Sequence, residues 1–100
     1  MEGQASISTD ILARYAADAA LEVEGVHGLA DSPLPRRRPV RVAGTAGAVR
    51  VEVHLVADWG APLPTLGRRV QQRVREYLGS MADVEPAAVD VVVDEVGPPQ

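Results

Sequence analysis

The strongest constraint on the fold is the segment of residues 49–57, where apolar and polar side chains alternate. The apolar positions fall on one face: Val49, Val51, Val53, Leu55 and Ala57. Arg50, Glu52, His54 and Asp58 fall on the other, with Val56 as the apolar exception. This period of two predicts a β-strand with one face buried and the other facing water or a partner.

Two further segments show the same strand pattern. Val40 and Val42 alternate with Arg41 and Ala43, and residues 44–47 (Gly-Thr-Ala-Gly) supply a turn before the long strand. These two strands are therefore predicted to form a hairpin. Apolar positions at Val89, Val91 and Val93 predict the last strand.

Two stretches have helical periodicity. Residues 9–22 follow Ser8, a good N-cap, and Ile7 and Leu12 have the spacing of a hydrophobic staple. Residues 64–80 begin at Pro64, which suits the first turn of a helix. The apolar stripe of this helix comprises Leu66, Val70, Val74, Tyr77 and Leu78 and continues to Met81 just after it. Each stripe needs an apolar face to pack against.

The predicted fold is a single α+β domain, a small two-layer structure with the order α-β-β-α-β. Two helices would cover one face of a three-stranded sheet, with a short extra strand allowed near residues 26–29. The predicted core spans residues 7–96. Residues 31–39, rich in Pro and Arg, are expected to form an exposed loop, and residues 97–100 a frayed tail.

Composition excludes several kinds of function. The chain of 100 residues has no Cys, which removes disulfides, thiolate catalysis and cysteine-held metal clusters. No apolar run approaches the roughly 20 residues needed to cross a bilayer, and no signal peptide is visible, so a cytoplasmic protein is expected. A net charge of -4 disfavours a general nucleic-acid binder.

No catalytic or metal-ligating constellation stands out. His27 is predicted in a turn and His54 on a strand, and neither belongs to an HxH or HExxH pair. No serine lies in a G-x-S-x-G elbow, and Ser8 is explained as a helix cap. We therefore predict a protein that is not an enzyme, with no metal, no cofactor and no small-molecule substrate.

The candidate residues for partner binding are dispersed along the chain. They are Arg36, Arg37, Arg38, Arg41, Trp59, Arg68 and Arg75. The first four form the one concentrated positive patch, and the last two point away from the apolar stripe of the second helix. Trp59 has two open interpretations: it caps one end of the core, or it belongs to a partner surface.

Several sequence blocks, in this order, carry a family resemblance. They are Ile7-Ser8 with Ile11, Ala16 and Ala20; residues 22–29 (EVEGVHGL); residues 51–60 (VEVHLVADWG); Leu63-Pro64 leading to Val70-Gln71 and Val74; and residues 89–93 (VDVVV). Over residues 5–96 they resemble the alkaline-shock, envelope stress response protein family of Gram-positive bacteria (the Asp-twenty-three/Gls-twenty-four family). Trp59 stands where Tyr is more usual in that family.

The resemblance implies a non-enzymatic cytoplasmic protein of cell-envelope homeostasis. Such a protein would self-associate, or dock with paralogues or on a small membrane-anchor protein, without inserting into the membrane itself. Two alternatives stay open. The Gly-Thr-Ala-Gly turn and the arginine patch would suit a small nucleic-acid-binding α/β module, although the GxxG loop of KH domains joins helices. The helix–strand order also resembles small iron–sulfur scaffolds, against which the missing Cys argues.

Overall fold

The computed structural model describes residues 8–30, 38–45 and 47–98. Its elements, in chain order, are α1 (Thr9–Leu21), β1 (Val26–Leu29), β2 (Val40–Ala43), β3 (Arg50–Ala57), α2 (Leu63–Ala82) and β4 (Ala88–Val96). The predicted α+β class and two-layer architecture are confirmed. The order is α-β-β-β-α-β, so the sheet has four strands, and its β1 is the short extra strand that the sequence allowed near residues 26–29.

β3 is the central strand of this sheet. Its whole length pairs in parallel with β4, while β2 and β1 pair antiparallel with its first and second halves. Since β4 occupies one edge of β3, β1 and β2 must lie end to end along the other. The extra strand therefore lengthens the sheet without widening it. His27, predicted in a turn, lies within β1, because residues 26–29 can pair with the end of β3.

The hydrophobic core lies between the sheet and the two helices. The five apolar positions predicted for the buried face of the long strand are all buried: Val49, Val51, Val53, Leu55 and Ala57. The helices contribute Leu12, Ala16, Ala19, Ala20, Leu66, Val70, Val74 and Leu78 to the same cluster. Both helices thus cover one face of the sheet, as the alternation predicted. The opposite face carries the polar residues of β3.

Both helices begin as the sequence predicted. Ser8 Oγ accepts a hydrogen bond from the Ile11 N–H at 3.2 Å, and Pro64 lies in the first turn of α2. Ile7, the other half of the predicted staple, lies outside the described residues. Helix α2 is longer than predicted and continues to Ala82, where Asp83 adopts a left-handed conformation with φ 54 and ends it.

One member of the predicted apolar stripe does not join the core. Met81 is 50% exposed in the last turn of α2. The chain turns back directly after the helix, where the Val84 N–H donates to Leu78 O at 3.1 Å, and Val84 packs against the core. The returning chain therefore provides the contact that the helical pattern assigned to Met81.

A polar and aromatic cluster joins the two helices. Arg73 Nη2 lies 2.6 Å from Glu22 Oε1, just after α1, and its guanidinium lies 5.4 Å from the centre of the Tyr77 ring. Tyr77 makes an edge contact with Tyr15 of α1 at 5.9 Å between ring centres. The hydrogen bond to Glu22 raises the pKa of Arg73 above its ordinary value. These contacts fix how the C-terminal end of α1 meets α2.

Backbone hydrogen bonds also join the sheet to two segments predicted as loop or tail. The Gly97 N–H donates to Ala57 O at 2.6 Å and Gly97 is buried, so the frayed tail does not begin there. The His54 N–H donates to Pro39 O at 2.7 Å, which ties the end of the predicted 31–39 loop to β3. Residues 31–37 and 99–100 lie outside the described part of the chain.

Within the described ranges, neither helix has both the length and the apolar character that a membrane-spanning helix needs.

Candidate functional site

Trp59 is the most exposed large apolar side chain described, at 63%. The core-facing row of β3 ends at the fully buried Ala57, and Trp59 lies two residues later in a turn closed by the Ala61 N–H donating to Asp58 O at 3.1 Å. The interpretation of Trp59 as a cap on the core is therefore wrong. Because Ala57 already closes this end of the core, the indole is left on the surface.

The indole borders an open pocket of about 290 Å³. We call this region the Trp59 surface and define it by its lining residues: Glu24, Gly25, Asp58, Trp59, Gly60, Ala61, Pro62, Leu66 and Arg69. Leu66 belongs to the core and is 2% exposed, so it forms the floor. The pocket combines an apolar floor and an aromatic wall with two carboxylates and one guanidinium at its rim. This mixture is typical of a site that binds another molecule.

Gly25 makes the pocket possible. Its φ is +101, and a Cβ atom built there would lie 3.1 Å from Leu66 Cδ1. A side chain at this position would be strained and would push against the pocket floor. With glycine at position 25, the turn after α1 can lie close to the start of α2.

The candidate arginines that the structure describes lie in more than one place. Arg38 and Arg41 line a second, smaller pocket, and Arg38 Nη1 is paired with Asp10 Oδ1 at 3.1 Å. Arg68 Nη2 lies 3.4 Å from Thr65 Oγ1. Arg75 Nη1 donates to Pro86 O at 2.8 Å and so ties α2 to the segment before β4. Arg36 and Arg37 lie outside the described residues.

The arginine beside Trp59 is Arg69, which is not among the residues predicted to bind a partner. Arg69 is the sequence neighbour of Arg68, which was predicted to bind a partner. The apolar pattern of α2 alone could not show which of the two arginines faces the turn after β3. The Gly-Thr-Ala-Gly segment lies between β2 and β3, as predicted for a hairpin turn.

A histidine cluster on the open face of the sheet was also missed. His54 Nε2 lies 2.5 Å from Glu52 Oε2, and His54 Nδ1 lies 3.0 Å from Asp94 Oδ1 on β4. These hydrogen bonds, Glu52 first, raise the pKa of His54 above its ordinary 6.5. The bond from His54, aided by Arg41, lowers the pKa of Glu52 below 4.5. Glu52 and His54 share a predicted face, whereas the contribution of Asp94 required the register of β4.

This cluster links the two longest strands of the sheet. Each ring nitrogen of His54 faces a different carboxylate, so the imidazole bridges Glu52 and Asp94. Over the residues that the structure describes, no group of three His, Cys, Asp or Glu side chains is arranged to hold a metal ion. Because both ring nitrogens face carboxylates, both must donate, and we expect the protonated imidazole to stabilise the pairing of β3 with β4.

We expect this cluster to give stability a pH dependence on the alkaline side. Because folding raises the pKa of His54, this residue contributes its full share of stability below pH 6.5. That share is lost as pH rises through the pKa of the folded state. The contribution of Glu52, whose pKa is lowered, is lost only as pH falls below 4.5. Urea midpoints measured from pH 6.5 upward should decrease with rising pH in the native chain. They should change much less in His54→Asn.

Glu52→Gln provides a partial control, because it removes one of the two carboxylates and should leave an intermediate slope. An unchanged alkaline slope in His54→Asn would contradict the assignment.

The fold resembles that of solved C-terminal domains of MamM. Residues 215-293 of MamM match with a TM-score of 0.58 and 11% identity, covering 88% of this chain and 99% of that one. A manganese form of a single-residue variant matches with a TM-score of 0.57 and 12% identity, covering 88% of this chain and 99% of that one. At this identity the likeness concerns the fold alone. No individually curated protein gives a significant match.

A family model gives the assignment that these structures cannot. The model for the Asp-twenty-three family, described by a cell envelope-related function, matches residues 1–98. That match covers almost the whole chain and includes every element of the fold, from α1 to β4. The chain therefore belongs to the alkaline-shock Asp-twenty-three family, as the order of its sequence blocks predicted.

Proposed function

We propose that this protein is a non-enzymatic adaptor of the cell envelope that works in the cytoplasm by docking on protein partners. The family gives the envelope-related function. The observation that carries the docking role is the exposed indole of Trp59 beside a pocket that the fold itself leaves unfilled. The partners proposed are further copies or paralogues of the chain and a small membrane-anchor protein.

The Trp59 surface has the chemistry of a protein-binding site. Trp is enriched among the residues that dominate binding energy, and such residues lie in pockets shielded from water by their neighbours. Here the indole stands beside Leu66 and Pro62, with Glu24, Asp58 and Arg69 around them. A partner side chain could displace water from the floor while its polar groups meet the charged rim.

The hydroxyl and imidazole groups considered as catalytic candidates have structural partners in the described residues. Ser8 Oγ accepts a backbone N–H of α1, so it serves as a helix cap. Both histidines have carboxylates as side-chain partners: Asp58 for His27, and Glu52 and Asp94 for His54. A serine nucleophile requires a histidine base within hydrogen-bonding distance. Within residues 8–30, 38–45 and 47–98, no hydroxyl is paired with a histidine in this way.

Fractionation of native cells tests this function. The tagged chain would be expressed from its own locus, membranes would be separated from cytosol, and co-purifying proteins would be identified. We expect recovery with a membrane protein or with copies and paralogues of the chain. Recovery in the cytosol with nuclease-sensitive material would contradict the proposal and favour a nucleic-acid-binding module.

A further inference from the structure

The outer edge of β4 is a second surface that the fold leaves unpaired. Among the described residues, β4 pairs only with β3, although it is the longest strand, Ala88–Val96. Proteins usually protect an exposed edge with a short strand, with Pro, with a β-bulge or with charged side chains, especially Lys. The sequence of β4, AVDVVVDEV, has no Pro or Lys, its charged side chains are all acidic, and its register shift lies opposite Leu55 and Val56 near its end. Its edge therefore disfavours an acidic strand but can accept a basic one.

The backbone groups on this edge can be identified from the neighbouring pairs. His54 directs its N–H to Pro39 O, and its C=O accepts from the Ala30 N–H, so it faces β1 and β2. Its neighbours in β3 must then face β4. Val53 and Val91 are counterparts in the parallel register of β3 and β4. In a parallel pair, a residue that faces the other strand bonds to the two residues that flank its counterpart. Val91 therefore directs its N–H and C=O to the free edge.

Gln71 supports this orientation. Its Nε2 donates to Val89 O at 3.0 Å, so a helix side chain reaches a β4 carbonyl two residues before Val91. Val89 and Val91 have the same orientation in the strand. The edge is thus partly covered at its start and open from Val91 onward among the described residues.

The side chains along this edge define which strand would fit. Asp90, Val92 and Asp94 occupy alternate positions on the open face of the sheet, and Val92 is 38% exposed. Cross-strand neighbours of opposite charge stabilise a sheet, and like charges directly opposite destabilise it. Antiparallel pairing of two copies about Val92 would bring their carboxylates opposite each other. The edge is therefore matched to a segment that presents basic, apolar and basic side chains in alternation.

We propose that the β4 edge binds an extended segment of a protein partner by strand addition, and that this segment alternates basic, apolar and basic residues on one face. Backbone hydrogen bonds from the added strand would supply affinity, while Asp90, together with Asp94 beside its bond to His54, would select its charge. The inference rests on the proposed docking function, but it concerns a surface separate from Trp59.

The test uses three capped peptides of about seven residues, the length of a typical strand. The first peptide has the order Thr-Lys-Thr-Val-Thr-Lys-Thr. The second has Glu in place of both Lys. The third has Pro in place of the central Val and of one adjacent Thr. Titrations followed by NMR should show binding of the lysine peptide about tenfold tighter than of the glutamate peptide. The lysine peptide should also protect the Val91 amide from hydrogen exchange. The proline peptide should not bind.

A charge reversal adds a matched comparison. Asp90→Lys should weaken binding of the lysine peptide about fivefold and strengthen that of the glutamate peptide. Asp18→Lys makes the same change in net charge at an exposed position of α1. It should leave the binding of both peptides unchanged. Equal binding of the lysine and glutamate peptides, or binding of the proline peptide, would overturn the proposal. Protection of the Val91 amide from hydrogen exchange by self-association of the chain would also overturn it. Failure here would leave the Trp59 docking role untouched, since that role is tested by recovery of partners.

Discussion

Leu55→Ala should lower the free energy of unfolding by about 3 kcal/mol, a large share of the total stability of a domain this size. Leu55 is fully buried in the central strand, where it pairs in register with Leu29 on one side and Val93 on the other. Truncation would leave a cavity between the sheet and both helices. Urea denaturation should show the loss as a lower midpoint.

Leu63→Ala is the matched control. Leu63 begins α2 and is 38% exposed, so the same chemical change should cost about 0.5 kcal/mol. If Leu55→Ala does not fold, Leu55→Val should still show a loss of about 1 kcal/mol. Similar losses at Leu55 and Leu63 would contradict the placement of β3 at the centre of the core.

Trp59→Ala should reduce recovery of the bound partner about thirtyfold, because truncation of a binding hot spot costs about 2 kcal/mol or more. The thermal midpoint should change little, since Trp59 is 63% exposed and the core is complete without it. Quantitative mass spectrometry of proteins recovered with the tagged native and variant chains measures the effect. The combination of lost partner and retained stability identifies a binding residue.

Met81→Ala controls for the loss of an exposed apolar side chain. Met81 is 50% exposed near the far end of α2, about 27 Å along the helix from its start beside the Trp59 surface. Partner recovery should stay near the native level in this variant. Equal recovery with Trp59→Ala and the native chain would show that the indole does not contribute to docking.

The parts of the fold that were predictable are those with a local cause. The alternation of residues 49–57 fixed which side chains of β3 are buried, and Ser8 and Pro64 marked the helix starts. β1 was predicted only as a short extra strand that the sequence allows, because its four residues have little pattern of their own and are held by pairing with β3. Its existence depends on a distant segment, which no local periodicity reveals.

The candidate site was predictable only in part for the same reason. Trp59 was selected, but its exposure depends on Ala57 closing the core and on the turn that follows β3. Arg69 and Glu24 join it through tertiary contact between separate parts of the chain. The bond from His54 to Asp94 likewise depends on how β4 pairs with β3. Sequence spacing identifies faces of elements, whereas sites arise where those faces meet.

The central claim is that the Trp59 surface contacts a protein partner, and photo-crosslinking in living cells tests it most directly. A photoreactive phenylalanine analogue would replace Trp59 in one strain and Met81 in another. We predict a discrete protein adduct from position 59, identified by mass spectrometry as a membrane protein, a paralogue or a second copy of the chain, and no such adduct from position 81. The same adducts from both positions, or a nucleic-acid adduct from position 59, would contradict the account.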